Sequence, residues 1–354
     1  MKIRRFQLFS LCLLGVSGLA YAGSGTQGAA FLSIPVGAGP AAMGSAYSAL
    51  ASDAYAPVYN PAGLGLLPNS QIAAQHLWYL DSLHYEFLSA VHPLSIGKSL
   101  GASVQYLGTG DVPGTDPSGN PIGSYSSHYG AYSLAYGQAV THELSFGLTG
   151  KWIHSELADV SADAFAADIG SLYQHGDQRL ALTLTNLGNT LTFTNQHDNL
   201  PLAVHLAGAF QPLRRWTVAG EAVYARTGML SGRMGVEWVP SSLIALRTGY
   251  KTETLEGLSP LAGLTLGLGI KVWGQELAYA WLPYGELGNT QYFSLLIQFG
   301  EAERAKRNLI KYDSIRKHRT ADRDTEDPDY QQLLELINPQ RDPTVQVPSP
   351  EGDR

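Results

Sequence analysis

The sequence predicts an all-β fold: a transmembrane antiparallel β-barrel of about fourteen strands, with an N-terminal Ala/Gly-rich helical hatch segment in its lumen. Three observations carry this prediction. Residues 23–300 hold only 10 Lys/Arg and 18 Asp/Glu, yet nowhere offer the ~20 consecutive apolar residues that a spanning helix needs. Barrel strands instead alternate lipid-facing and lumen-facing side chains and so score weakly on hydropathy. From residue 71 to 299 the chain breaks into alternating segments of roughly ten residues separated by turn residues. The connectors also sort by parity. Those after even-numbered segments are short (93–98, 141–143, 175–178, 211–215, 240–242, 274–275), and several after odd-numbered ones are long (108–128, 155–163, 188–201, 252–261). Short turns on one side and long loops on the other mark an outer-membrane barrel, and a soluble sandwich or propeller has no reason to sort its loops this way.

Taken in order, residues 1–22 read as a Sec signal peptide. Lys2, Arg4 and Arg5 precede an apolar run over 6–19, and Ala20-Tyr21-Ala22 forms a small-x-small cleavage site before Gly23. Cys12, the one cysteine, lies inside this signal. The mature chain therefore has no thiol for disulfides, metal binding or redox chemistry. Removal of the signal leaves 20 basic against 30 acidic residues, a balance that disfavours a nucleic-acid partner.

Residues 23–68 form the expected hatch segment. Within it, 41–51 is Ala, Gly and Ser apart from Met43, Tyr47 and Leu50, which sit at helical spacing. A thin helix over 41–51 suits a confined space. Asn60 is placed to cap free N–H groups, Pro61 fits a first helical position, and Gly63 permits a sharp exit. The residues singled out in this segment are Met43, Gly44, Tyr47, Asp53, Asn60, Pro61 and Gly63.

Residues 69–300 carry the barrel, with strands centred on 72–80, 84–91, 99–107, 129–138, 144–154, 164–173, 180–187, 202–210, 216–224, 232–238, 243–251, 262–272, 276–281 and 291–299. Phe293, Leu295, Ile297 and Phe299, then Phe146, Leu148 and Trp152, then Met234, Val236 and Trp238, form apolar faces that should meet lipid. Trp78, Trp152, Trp238 and Trp281 fall near strand ends, where an interfacial girdle belongs. The predicted lumen side carries Glu86, Lys151, Asp168, Glu221, Arg233, Glu237, Arg247, Lys251, Lys271 and Glu276. Both signs occur there. The core of the expected ion network is Glu86, Lys151, Asp168, Arg233, Glu237 and Arg247, and its plain role is to stiffen the wall. Ten scattered histidines show no metal-ligand spacing, and no Gly-x-Ser-x-Gly elbow occurs. The chain reads as non-enzymatic, without metal or cofactor.

The run FLSIPVGAGPAAMGSAYSALASDAYAPVYNPAGL over 31–64 resembles the N-terminal segment of the PorV/PorQ family, relatives of the FadL-type outer-membrane barrels, in which such a segment enters the lumen as a hatch. Asp168-Ile169-Gly170 with Leu172-Tyr173, followed by Asn186-Leu187-Gly188, is similar to that family's central DIG…LY…NLG signature. The chain departs from the pattern at Gly39-Pro40, where an Arg is usual, at Ser45, where a second Gly is usual, and at Ser52, where an acid is usual. The resemblance implies an outer-membrane protein of a diderm bacterium that assists protein export or surface attachment, as in type IX secretion, with periplasmic or secreted protein partners. Shared descent with FadL-type barrels implies the alternative, passive uptake of hydrophobic small molecules with the hatch as gate. Residues 301–354 hold 10 Lys/Arg and 12 Asp/Glu, with an apolar cluster at Leu333, Leu334, Leu336 and Ile337. This charged periplasmic tail is expected to be partly helical or disordered, and to dock a periplasmic partner.

Overall fold

The computed structural model describes residues 27–79, 83–110, 112–157, 160–194, 196–253, 260–284 and 288–299. The expected signal peptide over 1–22 and tail over 301–354 lie outside the described residues.

Fourteen antiparallel strands close a barrel. They are β1 (Ser70–Tyr79), β2 (Leu83–Ser95), β3 (Lys98–Thr109), β6 (Ser127–Ala139), β7 (Leu144–Leu157), β8 (Val160–His175), β9 (Gln178–Gly188), β12 (Ala203–Leu213), β13 (Trp216–Ala225), β14 (Leu230–Ser241), β15 (Ile244–Lys251), β16 (Leu264–Val272), β17 (Gln275–Pro283) and β18 (Asn289–Phe299). Each pairs with its neighbour in sequence, and β1 pairs with β18 from Ser70↔Phe299 to Trp78↔Gln291, which leaves no free edge. Two hairpins, β4–β5 (Val112–Thr115 and Pro121–Tyr125) and β10–β11 (Leu191–Phe193 and Gln196–Asp198), stand in the loops at one end. That end is the long-loop end, and the other is the short-turn end.

Burial alternates along each strand with period two, because successive side chains point to opposite faces. On β18 Tyr292 and Ser294 are buried while Phe293 and Leu295 are exposed on the outer wall, and on β7 Phe146, Leu148 and Trp152 face out. A barrel of fourteen strands is too wide for its wall residues to fill alone. Residues 27–67 occupy the interior, and most of them are buried.

One connector differs from the expectation. Residues 155–163 are not a loop, since β7 runs on to Leu157 and β8 begins at Val160, in register from Leu157↔Val160 downward. The inward positions here are the small Ser155, Ala162 and Ala164, all buried. Strands with small residues on one face show little hydropathy contrast and read as loop.

The closing seam gives a direct test. Ala73 and Leu296 are Cα partners across β1 and β18, at a spacing compatible with a disulfide, and no cysteine lies beyond Cys12. The double substitution Ala73→Cys/Leu296→Cys should cross-link under mild oxidation and keep the chain compact on heating in detergent. Ala73→Cys paired with Ser294→Cys, one step out of register, should not.

Candidate functional site: the plugged lumen

The interior segment enters at the long-loop end, where Gly28 N donates to Asn199 O at 2.9 Å beside the β10–β11 hairpin, and leaves at the short-turn end before β1. It is not the helix expected over 41–51. Helix α1 covers Ala38–Ala42 only, and the chain then turns through Gly44 and Ser45 at φ +62° and +61°. Two successive left-handed residues end any helix, and the wall dictates them. Thr265 Oγ1 accepts from Gly44 N at 3.0 Å and donates to Ala42 O at 2.7 Å. A second short helix, α2, spans Ala56–Tyr59, and a 3-10 turn follows over Pro61–Leu66.

The segment is seated at two places by glycines of the wall. Gly137, Gly147 and Gly170 are successive Cα partners on β6, β7 and β8. A Cβ at these positions would meet Pro61 O at 2.4 Å, Pro61 C at 2.2 Å and Asn60 Oδ1 at 2.0 Å respectively. This glycine row is a groove that admits the 3-10 turn. On the opposite wall, Gly235 and Gly249 are partners on β14 and β15, and their added Cβ atoms would meet Met43 O at 2.4 Å and Gly44 N at 2.1 Å. Met43 and Gly44 thus fill the second groove. Gly63 contributes a close approach rather than a sharp exit, since a Cβ there would lie 1.5 Å from Ala51 O.

Asn60 ties the first seat together. Its Oδ1 accepts from Ala62 N at 3.1 Å, capping the turn that Pro61 opens, while its Nδ2 donates to Ser48 O at 3.0 Å and to Ser171 O at 3.2 Å. Because little of the segment is helical, its backbone groups need partners elsewhere. The wall supplies them. Gln75 accepts from Gly37 N, Ser294 from Ala38 N, Glu221 from Ser48 N and Gln71 from Ala54 N, while Thr149 donates to Pro57 O.

The charged residues sort into three clusters on the inner wall. Arg247 bridges Glu237 at 2.6 Å and Glu276 at 2.5 Å, with Lys271 at 3.4 Å from Glu276. Its guanidinium lies over Gly39, where an added Cβ would come within 2.9 Å of it. A wall cation thus lies directly beside the Gly39 backbone. Arg233 pairs with Glu253 at 2.8 Å and Glu221 at 3.5 Å; His205 approaches Glu221 at 2.8 Å, and Lys251 approaches Glu253 at 4.0 Å. Lys151 pairs with Asp168 at 2.6 Å and donates to Asn186 Oδ1 at 2.8 Å. The third cluster marks a bulge between β8 and β9. Asp168 Oδ1 accepts from Asn186 N at 2.7 Å, the register slips between Ala167 and Ile169, and Asn186 takes φ +59°. The DIG and NLG strings are therefore two sides of one feature: Gly170 admits Asn60, while Asp168 and Asn186 form the bulge beside it.

Glu86 is not in the lumen. Its neighbours Tyr85 and Phe87 are the buried, inward residues of β2, and Glu86 stands on the outer face against His76 Nδ1 at 2.5 Å. The inversion has a cause: the lumen near Glu86 is apolar, so the aromatic side chains of β2 turn in and the carboxylate turns out.

The plugged lumen has two unlike halves. Toward the long loops, the segment's own Phe31, Leu32, Ile34 and Val36 are buried in a cluster with Leu77, Tyr85, Ile153, Leu191, Leu282 and Tyr292, and Phe31 contacts the Tyr129 ring at 6.0 Å. Toward the short turns lies a polar cavity of about 380 Å³, lined by Met43, Tyr47 and Asp53 of the segment and Arg179, Glu237 and Arg247 of the wall. Tyr47 donates its hydroxyl hydrogen bond to Asp53 Oδ2, and Tyr55 N donates to Asp53 Oδ1 at 2.9 Å. Burial pushes the Asp53 carboxyl up to about 6, against the lowering effect of these two donors. Between the halves, Ser89, Ser103 and Ser133 are successive Cα partners on β2, β3 and β6, and their buried hydroxyls meet no protein hydrogen-bond partner among the described residues. Among the described residues no group of three or more His, Cys, Asp or Glu could hold a metal ion.

No family model matches the chain, and no curated protein does. Solved structures do match its fold. The Pseudomonas putida toluene transporter TodX superposes with a TM-score of 0.55 at 14% identity, over 75% of this chain and 99% of that one. The CymD monoaromatic hydrocarbon channel superposes with a TM-score of 0.54 at 13% identity, over 76% of this chain and 98% of that one. At such identity the likeness establishes a shared barrel architecture.

Two outcomes follow from the seats and from Asp53. Gly147→Val should unseat the segment, because overpacking a close-packed contact costs about 1–3 kcal/mol or more. Protease should then cut within residues 27–67 of a barrel that still migrates as folded. Asp53 binds its proton more tightly in the folded chain, so the cost of its buried charge is complete above about pH 6, shrinks as the pH falls toward its ordinary value of 3.8, and is absent below that. Asp53→Asn should raise the unfolding temperature at pH 7 and flatten its dependence between pH 4 and 7, as read by thermal melts of the detergent-solubilised protein.

Proposed function

We propose that this chain is a passive outer-membrane channel for small hydrophobic molecules, with residues 27–67 as its gate, the long loops outside the cell and the short turns in the periplasm. The observation that carries the reading is the apolar half of the lumen. There, inward-facing Leu77, Tyr85, Ile153, Leu282 and Tyr292 pack around the segment's own Phe31, Leu32, Ile34 and Val36, so that withdrawal of four apolar side chains would leave an apolar chamber opening toward the loops. The printed descriptions of TodX and CymD, a toluene transporter and a monoaromatic hydrocarbon channel, agree with this reading. They are channels rather than enzymes.

They favour uptake over the export reading drawn from the PorV/PorQ resemblance. The strings that carry that resemblance map onto the seat of the segment and its adjoining bulge, which are elements of barrel architecture, and a protein cargo or partner finds no support in either the geometry or the neighbours.

The test is uptake. Deletion of residues 27–36, which removes Phe31, Leu32, Ile34 and Val36 from the chamber, should speed entry of a labelled monoaromatic hydrocarbon into proteoliposomes containing the barrel. Entry of the same compound through the unaltered protein should exceed that through protein-free vesicles. Equal rates in all three preparations would defeat the channel reading, and loss of surface-attached proteins in a deletion strain with unchanged hydrocarbon uptake would restore export.

A further inference from the structure

Gln71 and Gln75 of β1 and Gln105 of β3 all point into the lumen and are buried there. The first two spend their carbonyl oxygens on the segment, accepting from Ala54 N and Gly37 N. Gln105 does not. It is fully buried, its Nε2 donates to the Tyr85 hydroxyl at 2.8 Å, and its Oε1 meets no protein hydrogen-bond partner among the described residues.

Its surroundings make this unusual. The Cα partners of Gln105 are Phe87 and Ala131, and Ile153 follows Ala131 on β7. All three belong to the apolar cluster that holds Phe31 of the segment. A carboxamide in such a place is ordinarily bonded at both ends, since a buried polar atom without a partner has given up water for nothing. The Tyr85 hydroxyl is in a similar position, because its bond among the described residues is the one it accepts from Gln105. The pair therefore keeps one acceptor, Gln105 Oε1, and one donor, the Tyr85 O–H, side by side in the chamber.

These leftovers select a chemical group. A ketone or an ether could use only the donor, and an ammonium would be buried among neighbours that carry no carboxylate. A hydroxyl is donor and acceptor at once, and one such group answers both. The segment shows what else fits: Phe31 is a single aromatic ring held in this chamber, with its centroid 6.0 Å from that of Tyr129. The space it fills is ring-sized, and its phenyl edge has no atom to offer Gln105 or Tyr85. We infer that the chamber's ligand is a phenol, one aromatic ring with one hydroxyl, whose ring replaces that of Phe31 and whose hydroxyl donates to Gln105 Oε1 and accepts from Tyr85. This inference rests on the reading of the lumen as a channel for small hydrophobic molecules and narrows what that channel selects.

The experiment is equilibrium dialysis of labelled p-cresol and p-xylene, which differ by a hydroxyl for a methyl, against the full-length protein in detergent, with protein-free detergent as the blank. Gln105→Met should lower the ratio of p-cresol to p-xylene affinity about tenfold, the worth of one hydrogen bond to a buried group. Tyr85→Phe should move the ratio the same way, and it carries the test if Gln105→Met does not assemble. Phe31→Ala should tighten both ligands together, because it opens a ring-sized apolar space. A ratio that neither Gln105→Met nor Tyr85→Phe lowers would overturn the inference, as would indifference of both ligands to Phe31→Ala or an absence of p-cresol binding. Entry of p-xylene into proteoliposomes separates this from the channel reading. Entry above that of protein-free vesicles with an unaltered ratio would sink the hydroxyl preference and leave the channel standing, whereas no entry with the expected fall in ratio would leave a phenol site without a channel.

Discussion

The structure depends on satisfying the backbone of a mostly non-helical segment inside a closed wall. A helix would have met its own hydrogen-bonding needs and required only space. Residues 27–67 instead leave many N–H and C=O groups open, and the inner face answers them one by one with Gln71, Gln75, Thr149, Glu221, Thr265 and Ser294. Such bonds need close approach, and close approach needs glycine. The rows at Gly137–Gly147–Gly170 and Gly235–Gly249 are thus the steric counterpart of the polar contacts. The composition of the segment and that of the wall are two halves of one fit.

The charges follow the same logic. Arg247 and Glu221 each serve the wall and the segment at once, the former over Gly39 and the latter through Ser48 N. A buried ion pair gives little net stability unless its remaining hydrogen-bonding positions are filled. Here they are filled by neighbouring strands: Arg247 has two carboxylates, and Glu221 has His205, Arg233 and a backbone donor. The clusters consequently fix where the segment lies as well as stiffening the barrel.

The strands were legible in the sequence because lipid and lumen impose opposite demands on alternate residues, as the β18 pattern from Tyr292 to Phe299 shows. Asn60-Pro61 was legible because capping is local. The helix expected over 41–51 failed because Ala-rich composition favours helix while Thr265, more than two hundred residues away, holds Gly44 in a left-handed turn. Glu86 was placed on the wrong face because the rule that polar residues point inward presumes a wet lumen, and this part of the lumen is filled by Phe31 and its neighbours. The glycine grooves were missed although a signal existed, in glycines at inward-facing positions of adjacent strands close to the short turns.

The grip on the segment also bears on the closing seam. Gln71 and Gln75 belong to β1 and Ser294 to β18, the two strands whose pairing closes the cylinder. The wall partners of Ala54, Gly37 and Ala38 thus sit on the two terminal strands, so parting that seam and releasing the segment break one shared set of contacts.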